Sequence, residues 1–188
     1  METKFASLGD RMKWYEKNLT PSVFSDKMPV VTRIDGRAWH TWVKQKCDKW
    51  PFKTEPFVPD LSNSMRIAAK AVMDDFGFSL CYYQQSDEVT IVWYQPKVNL
   101  ETPNQVKLPF GGKRDKINSV GSSIFSNYFN TSLQRKGYSW SGFGFDLAQF
   151  DCRTFQVPSI TEAINCLLWR IQDWKRNFVQ MVGRTKFS

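Results

Sequence analysis

Two strand-like runs, Phe78 to Tyr83 and Glu88 to Tyr94, are joined by only four polar residues, Gln84-Gln85-Ser86-Asp87. A link that short cannot cross over a sheet, so the two runs must pair antiparallel as a hairpin. Any further strand has to be laid beside it. One candidate is Pro29-Val30-Val31-Thr32-Arg33-Ile34-Asp35, which stops at Gly36, and Phe145 to Phe155 holds one or two more. Segments with helical spacing separate them. Leu8, Met12, Tyr15 and Leu19 share one face of a helix from Ser7 to Leu19, ended by Thr20-Pro21-Ser22. Asp60 is the candidate N-cap of a helix that turns Leu61, Met65, Ala68 and Val72 inward and closes at Gly77. Ile117, Val120, Ile124 and Tyr128 mark a helix from Lys113 to Gln134, and residues 96–110 and Gly137 to Gly144 read as loops. The last helix opens on the capping box Ser159-Ile160-Thr161-Glu162 and continues through Ile164, Leu167, Leu168, Ile171 and Trp174 towards Val182. Trp39 to Pro59, with three prolines, reads as a loop-rich insert. The order α–β–α–β–β–α–β–α predicts an α+β fold, an antiparallel sheet with helices packed on one face.

A chain of 188 residues, 41 % hydrophobic and 23 % charged, fits one domain and excludes a disordered polymer. No run approaches the roughly 20 apolar residues that cross a bilayer. The polar start Met1-Glu2-Thr3-Lys4 argues against a secretory signal. Cys47, Cys81, Cys152 and Cys166 lack CxxC spacing, which disfavours a zinc ribbon and predicts reduced, mostly buried thiols in a cytoplasmic protein. A single histidine, His40, excludes His-rich metal sites. The 26 basic against 18 acidic residues leave a net charge of +8, which favours a polyanionic partner such as nucleic acid or nucleotide phosphate, though it also serves solubility alone.

The acids carry the chemical signal. Asp35 ends the first strand before Gly36, and Asp87 and Glu88 stand at the hairpin link. If the first strand lies beside the hairpin, these carboxylates converge on one rim and invite a divalent cation. Mg²⁺ prefers oxygen ligands, completed by water and substrate phosphates. Gly36 lets a metal or phosphate approach the backbone. Arg37-Ala38-Trp39-His40 adds a guanidinium for phosphate and aromatic surface for a base. Each acidic run is also ordinary turn chemistry. Phe110-Gly111-Gly112-Lys113-Arg114-Asp115-Lys116 precedes a helix and reads either as a phosphate cradle or as a solvated basic helix start.

Together these runs resemble the tRNAHis guanylyltransferase family: Leu8-Gly9-Asp10-Arg11-Met12-Lys13, Val31 to His40, Ala69-Lys70-Ala71-Val72-Met73, Gln85-Ser86-Asp87-Glu88, and Lys113 with Lys116 opening a helix. Phe150-Asp151-Cys152-Arg153 and Trp169-Arg170 with Asp173, Arg176 and Asn177 extend the likeness. The resemblance implies a palm-like (ferredoxin-like, split βαβ) domain over residues 1–188, with a shortened C-terminal region at about 137–188. It implies nucleotide addition to the 5′ end of tRNA in the 3′–5′ direction, after activation of that end by ATP or GTP. Asp35 and Asp87 resemble the ligands of two Mg²⁺ ions, with the Gly36 carbonyl as a third, and Glu88 the supporting catalytic acid. Asp35, Gly36, Arg37, Ala38, Trp39, His40, Ser86 and Asp87 are similar to the nucleotide pocket, and Lys113 and Lys116 to its triphosphate-binding helix start. Arg153, Arg176 and Asn177 are the RNA-binding candidates. The partners implied are tRNA, nucleoside triphosphates and further copies of the chain, with no membrane. Where relatives that read the tRNAHis anticodon carry a His-Ile-Asn-Asn-like run, this chain has Asp173-Trp174-Lys175-Arg176-Asn177-Phe178. Trp50 stands where relatives carry Lys before Pro-Phe, with Lys49 and Lys53 at hand. Strict addition of one G at position −1 of tRNAHis, a palm-type nucleotide cyclase, and an RNA-binding module with a decayed site are the alternatives.

Overall fold

The computed structural model describes residues 5–47, 58–77, 79–94, 107–138 and 147–187. Nine elements of helix and strand organise them: α1 (Leu8–Asn18), β1 (Val30–Gly36), α2 (Trp39–Cys47), α3 (Pro59–Phe76), β2 (Cys81–Gln85), β3 (Glu88–Trp93), α4 (Arg114–Arg135), β4 (Phe150–Gln156) and α5 (Ile160–Phe187). The strands form one sheet in the order β2-β3-β1-β4, and every neighbouring pair is antiparallel. This is the α+β, ferredoxin-like arrangement expected from the hairpin and its flanking helices.

The sheet is covered on both faces, not on one. Val30 and Ile34 of β1, with Val89, Ile91 and Trp93 of β3, pack on Met65, Ala68 and Val72 of α3 and on Phe125, Phe129 and Leu133 of α4. Val31, Val92 and Phe155 point the other way, onto Met12 of α1 and Ala163 and Cys166 of α5. The side-chain period of 2 along a strand separates the two sets. All six residues of β3 are therefore buried, where a strand with one wet face would alternate. Each fully buried Ile or Met side chain contributes about 1.5–3 kcal/mol to this packing.

Local chemistry sets the element ends. The Ser7 hydroxyl accepts from the Asp10 amide at 3.1 Å and caps α1. Gly77 closes α3 in the left-handed region (φ 91°), its N–H bonded to the Met73 carbonyl. Asp60 is not the cap expected of it. Val58 holds that position, and the Asp60 carboxylate instead takes Lys136 and the Tyr138 hydroxyl from the end of α4. The start of the presumed insert is helical: α2 follows β1 after a two-residue turn, because Trp39 and Trp42 stack at 4.9 Å and bury against Phe129. The rest of that insert around Trp50, and most of the two predicted loops, lie outside the described residues. Ser159 accepts from the Glu162 amide at 3.3 Å as the capping box requires, and α5 runs past Val182 to Phe187. Cys152 and Cys166 are shielded free thiols, whereas Cys81 is exposed on the edge strand β2. Among the described residues, no helix is long and apolar enough to cross a membrane.

Candidate active site

β1 and β3 pair with Asp35 directly opposite Glu88, and β2 closes the hairpin with Gln85 opposite Glu88. Only Ser86 and Asp87 remain in the turn, and Ser86 adopts φ 46°. A non-glycine residue in that region is held at a cost of about 1–3 kcal/mol and persists only where its surroundings fix it. The Gly36 N–H donates to the Asp87 carbonyl at 3.1 Å, which locks the turn against the end of β1.

Gly36 is required by close approach. A Cβ there would lie 2.8 Å from Trp39 Cε3 and 3.0 Å from both Cβ and Oδ2 of Asp87. Any larger residue would displace Trp39, the Asp87 side chain, or both. By strand alternation Gly36 presents the opposite face from Asp35. The two acids thus flank the end of the sheet from its two sides, near enough for the Asp35 charge to act on Asp87.

The charge of Asp35 is registered at Asp87. Burial, then the Asp35 charge, pushes the Asp87 carboxyl up to about 6. Burial also raises Asp35, against the pull of Arg33. Glu88 is raised by burial against the pull of Arg170, whose Nε meets Glu88 Oε1 at 2.6 Å. Glu88 is thereby engaged by Arg170, while hydrogen bonds from Ser86 and from its own backbone offset part of the rise at Asp87. Among the described residues no group of three His, Cys, Asp or Glu forms a cage for a metal.

Most of the predicted site assembles on this rim. Asp35, Gly36, Ser86, Asp87 and Glu88 are brought together. Arg37 follows, exposed, its backbone N–H bonded to the Gln149 carbonyl at 2.8 Å and its Nη1 to Gln149 Oε1 at 2.6 Å. Ala38 turns the chain with φ 50°, and His40 is exposed on the first turn of α2. The Trp39 ring is not an open platform for a base, because it packs on Trp42, Phe129 and Phe150.

Lys113 and Lys116 are not brought to the rim within one chain. Lys113 bridges Val23, beside Phe24 and Ser25, and Ser25 receives Gln156 from the far end of β4. Gln156 pairs with Val30, so these lysines sit at the opposite end of the sheet from Asp35. The periodicity of α4 fixed its inward face but not which of its ends would meet the carboxylates.

Sequence reasoning also missed a basic cleft of about 530 Å³ that runs from Asp35 and Glu88 across the α1/α5 face. Lys13, Lys17, Arg33, Arg153 and Arg170 line it, with Trp169 as an aromatic wall. Arg33 and Arg153 stand opposite each other in the β1–β4 ladder and share Glu16, at 2.7 and 3.6 Å. Strand alternation could have placed Arg33 on the Asp35 face, since the two are two residues apart. Nothing in the sequence spacing joins Glu88 to Arg170, 82 residues later. Arg176 and Asn177 lie further along α5, where Arg176 pairs with Asp173.

A four-stranded antiparallel sheet whose first strand and hairpin deliver two acids to one end defines a palm-type α+β protein. The sequence model of the tRNAHis guanylyltransferase family matches residues 9–158, and the chain belongs to that family of nucleotidyltransferases. Among solved structures, a bacterial tRNAHis guanylyltransferase-like protein in complex with GTP is 30 % identical. The match covers 96 % of this chain and 78 % of that one, with a TM-score of 0.70. A bacterial protein of the same description in complex with ATP is also 30 % identical, with coverage of 96 % and 72 % and a TM-score of 0.72. The tRNAHis guanylyltransferase of Saccharomyces cerevisiae shares the fold at 20 % identity, with coverage of 85 % and 64 % and a TM-score of 0.62. No curated protein sequence matches the chain.

Proposed function

We propose that this chain is a Mg²⁺-dependent nucleotidyltransferase that extends the 5′ end of tRNA in the 3′–5′ direction, after ATP or GTP has activated that end. The observation that carries the reading is the Asp87 carboxylate, packed on a glycine that leaves no room for a Cβ and pushed up by the charge of Asp35. Family membership and the GTP- and ATP-bound relatives support nucleoside triphosphates as substrates.

The residues fit a magnesium site. A carboxylate pushed up by burial and by the charge of a second carboxylate, beside the Gly36 backbone, offers an all-oxygen donor set whose charge a divalent cation would offset. Asp35, Asp87 and the Gly36 carbonyl would hold the cation. When bound, it neutralises charge on the transferring phosphoryl group and on the nucleotide hydroxyl that attacks it. The chain itself supplies position. The Gly36–Asp87 backbone bond sets the spacing of the acids. Gln149 fixes one nitrogen of Arg37 and leaves its other donors for phosphate. The turn at Ala38 brings the amino end of α2, with His40, directly after the acids. The cations of the cleft beside Asp35 suit an RNA backbone, with Arg153 among them and Arg176 and Asn177 further out on α5. Lys113 and Lys116 are left out of this pocket within one chain. The protein acts in the cytoplasm as a homo-oligomer in this reading.

The test is extension of 5′-truncated tRNAs of several identities with all four nucleoside triphosphates. Template-matched multiple additions support the proposal. A single G, on tRNAHis only, would establish strict guanylylation instead. A cyclic nucleotide formed without RNA would replace both.

A further inference from the structure

The turn that carries Asp87 is tied to Gly36 on one side and is also gripped from α5. Arg170 projects from α5 with its side chain only 12 % exposed. Its Nε donates to Glu88 Oε1 at 2.6 Å, and its Nη2 to Asp173 Oδ2 at 3.0 Å. The Gln85 amide, in the orientation that satisfies its neighbours, donates to the Arg170 carbonyl at 2.8 Å and accepts from Nη2 at 3.2 Å. The guanidinium lies 4.6 Å from the Trp169 ring centre, which restrains it from a third side. Gln85 and Glu88 are the paired residues that bracket Ser86 and Asp87. One planar fork therefore holds both sides of a two-residue turn.

We propose that Arg170 is a positioning residue for the nucleotidyl transfer: by gripping Gln85 and Glu88 it fixes the Ser86–Asp87 turn, and by pairing Glu88 it withdraws that charge from the rim and leaves Asp35 and Asp87 to hold a cation. This deepens the function proposed above and rests on it. Removing the guanidinium strands a buried carboxylate across the ladder from Asp35 and frees the turn. Removing the Glu88 charge as well relieves the first of these effects.

The test compares Arg170→Gln, Arg170→Lys, Glu88→Gln and the Arg170→Gln/Glu88→Gln double variant. Mn²⁺ affinity is read by calorimetry on the RNA-free protein, and kcat and KM for the nucleotide are read in the extension assay. Loss of an outer partner of a metal site costs about 10–100-fold in affinity or activity, and Arg170→Gln should fall in that range. The loss should appear in Mn²⁺ affinity and kcat, with nucleotide KM little moved. Arg170→Lys, which keeps the charge and loses the fork, should lie between it and wild type. The double variant should recover about tenfold over Arg170→Gln alone. Asp173→Asn, which loosens the fork from its outer side, gives a milder loss of the same kind if Arg170→Gln does not fold. Wild-type metal affinity and rate in Arg170→Gln or Asp173→Asn would overturn the proposal. So would a double variant no better than Arg170→Gln, because Glu88 would then serve the chemistry itself. A wild-type protein that binds no Mn²⁺ and extends no RNA sinks the function reading, and this inference with it. Normal wild-type activity with indifferent Arg170 variants sinks the inference alone.

Discussion

The Asp87 carboxylate sits where the fold resists its charge, and replacing it with Asn should raise stability while abolishing activity. Burial and the neighbouring Asp35 move its pKa from the ordinary 3.8 to about 6. At 1.36 kcal/mol per pH unit, the ionised side chain weakens the metal-free fold by about 3 kcal/mol. The direction follows from proton binding. Between 3.8 and about 6 the native protein holds this proton more tightly than the unfolded chain does. Stability from this group is therefore full at acid pH, falls through that window, and is lost above it. Asn has no charge to bury. For a chain of this length 1 kcal/mol corresponds to roughly 2–4 °C in Tm, so Asp87→Asn should melt roughly 6–12 °C above wild type at pH 8 in chelator. The gap should close as the pH falls to about 4. Mg²⁺ should raise the Tm of wild type at pH 8 and leave the variant unmoved. The assay is a set of melts from pH 4 to 8, with chelator or with Mg²⁺, beside an extension reaction in which the variant is inert. A variant that melts at or below wild type at pH 8, or by a margin that does not change with pH, would refute the reasoning.

Two further perturbations probe what supports the rim. Gly36→Ala puts a Cβ 3.0 Å from Asp87 Oδ2 and 2.8 Å from Trp39 Cε3, so one of them must move. A misplacement of this kind should lower the single-turnover rate on the order of 10²-fold, and a wild-type rate would contradict the crowding argument. Thr32→Val removes the buried acceptor of Trp93 Nε1 (2.8 Å) and the partner of the Thr154 hydroxyl (3.0 Å). It should cost about 1–3 kcal/mol in urea unfolding at unchanged m-value, and an unchanged midpoint would show that the network contributes nothing.

What could be read from the sequence follows the range of the physics. The hairpin was forced by a short link, and β1 by a β-branched run ending at Asp35-Gly36, so the pairing of Asp35 with Glu88 followed as soon as the two were set side by side. Caps that act over three or four residues, at Gly77 and Ser159, were equally legible. The second helical layer was not, because α1 and α5 lie at opposite ends of the chain and neither pattern says that they share Val31, Val92 and Phe155. α2 was hidden behind later prolines, since its stability comes from Trp39 and Trp42 packing on Phe129, some 90 residues away. Asp60 looked like a cap by composition, but a lysine and a tyrosine from α4 compete for it successfully. Lys113 and Lys116, at the far end of the sheet from Asp35 within one chain, show the same limit. Helical periodicity fixes a face, while the end that meets the acids depends on which way the helix runs over the sheet.

The most direct measurement is a crystal of the protein soaked with Mn²⁺ and a non-hydrolysable nucleoside triphosphate, with anomalous scattering used to locate the metal. Two peaks roughly 3.5–4 Å apart, bound by the carboxylates of residues 35 and 87 and absent from Asp87→Asn, are the predicted result. Triphosphate bound elsewhere, or a rim without anomalous signal in saturating Mn²⁺, would contradict the account.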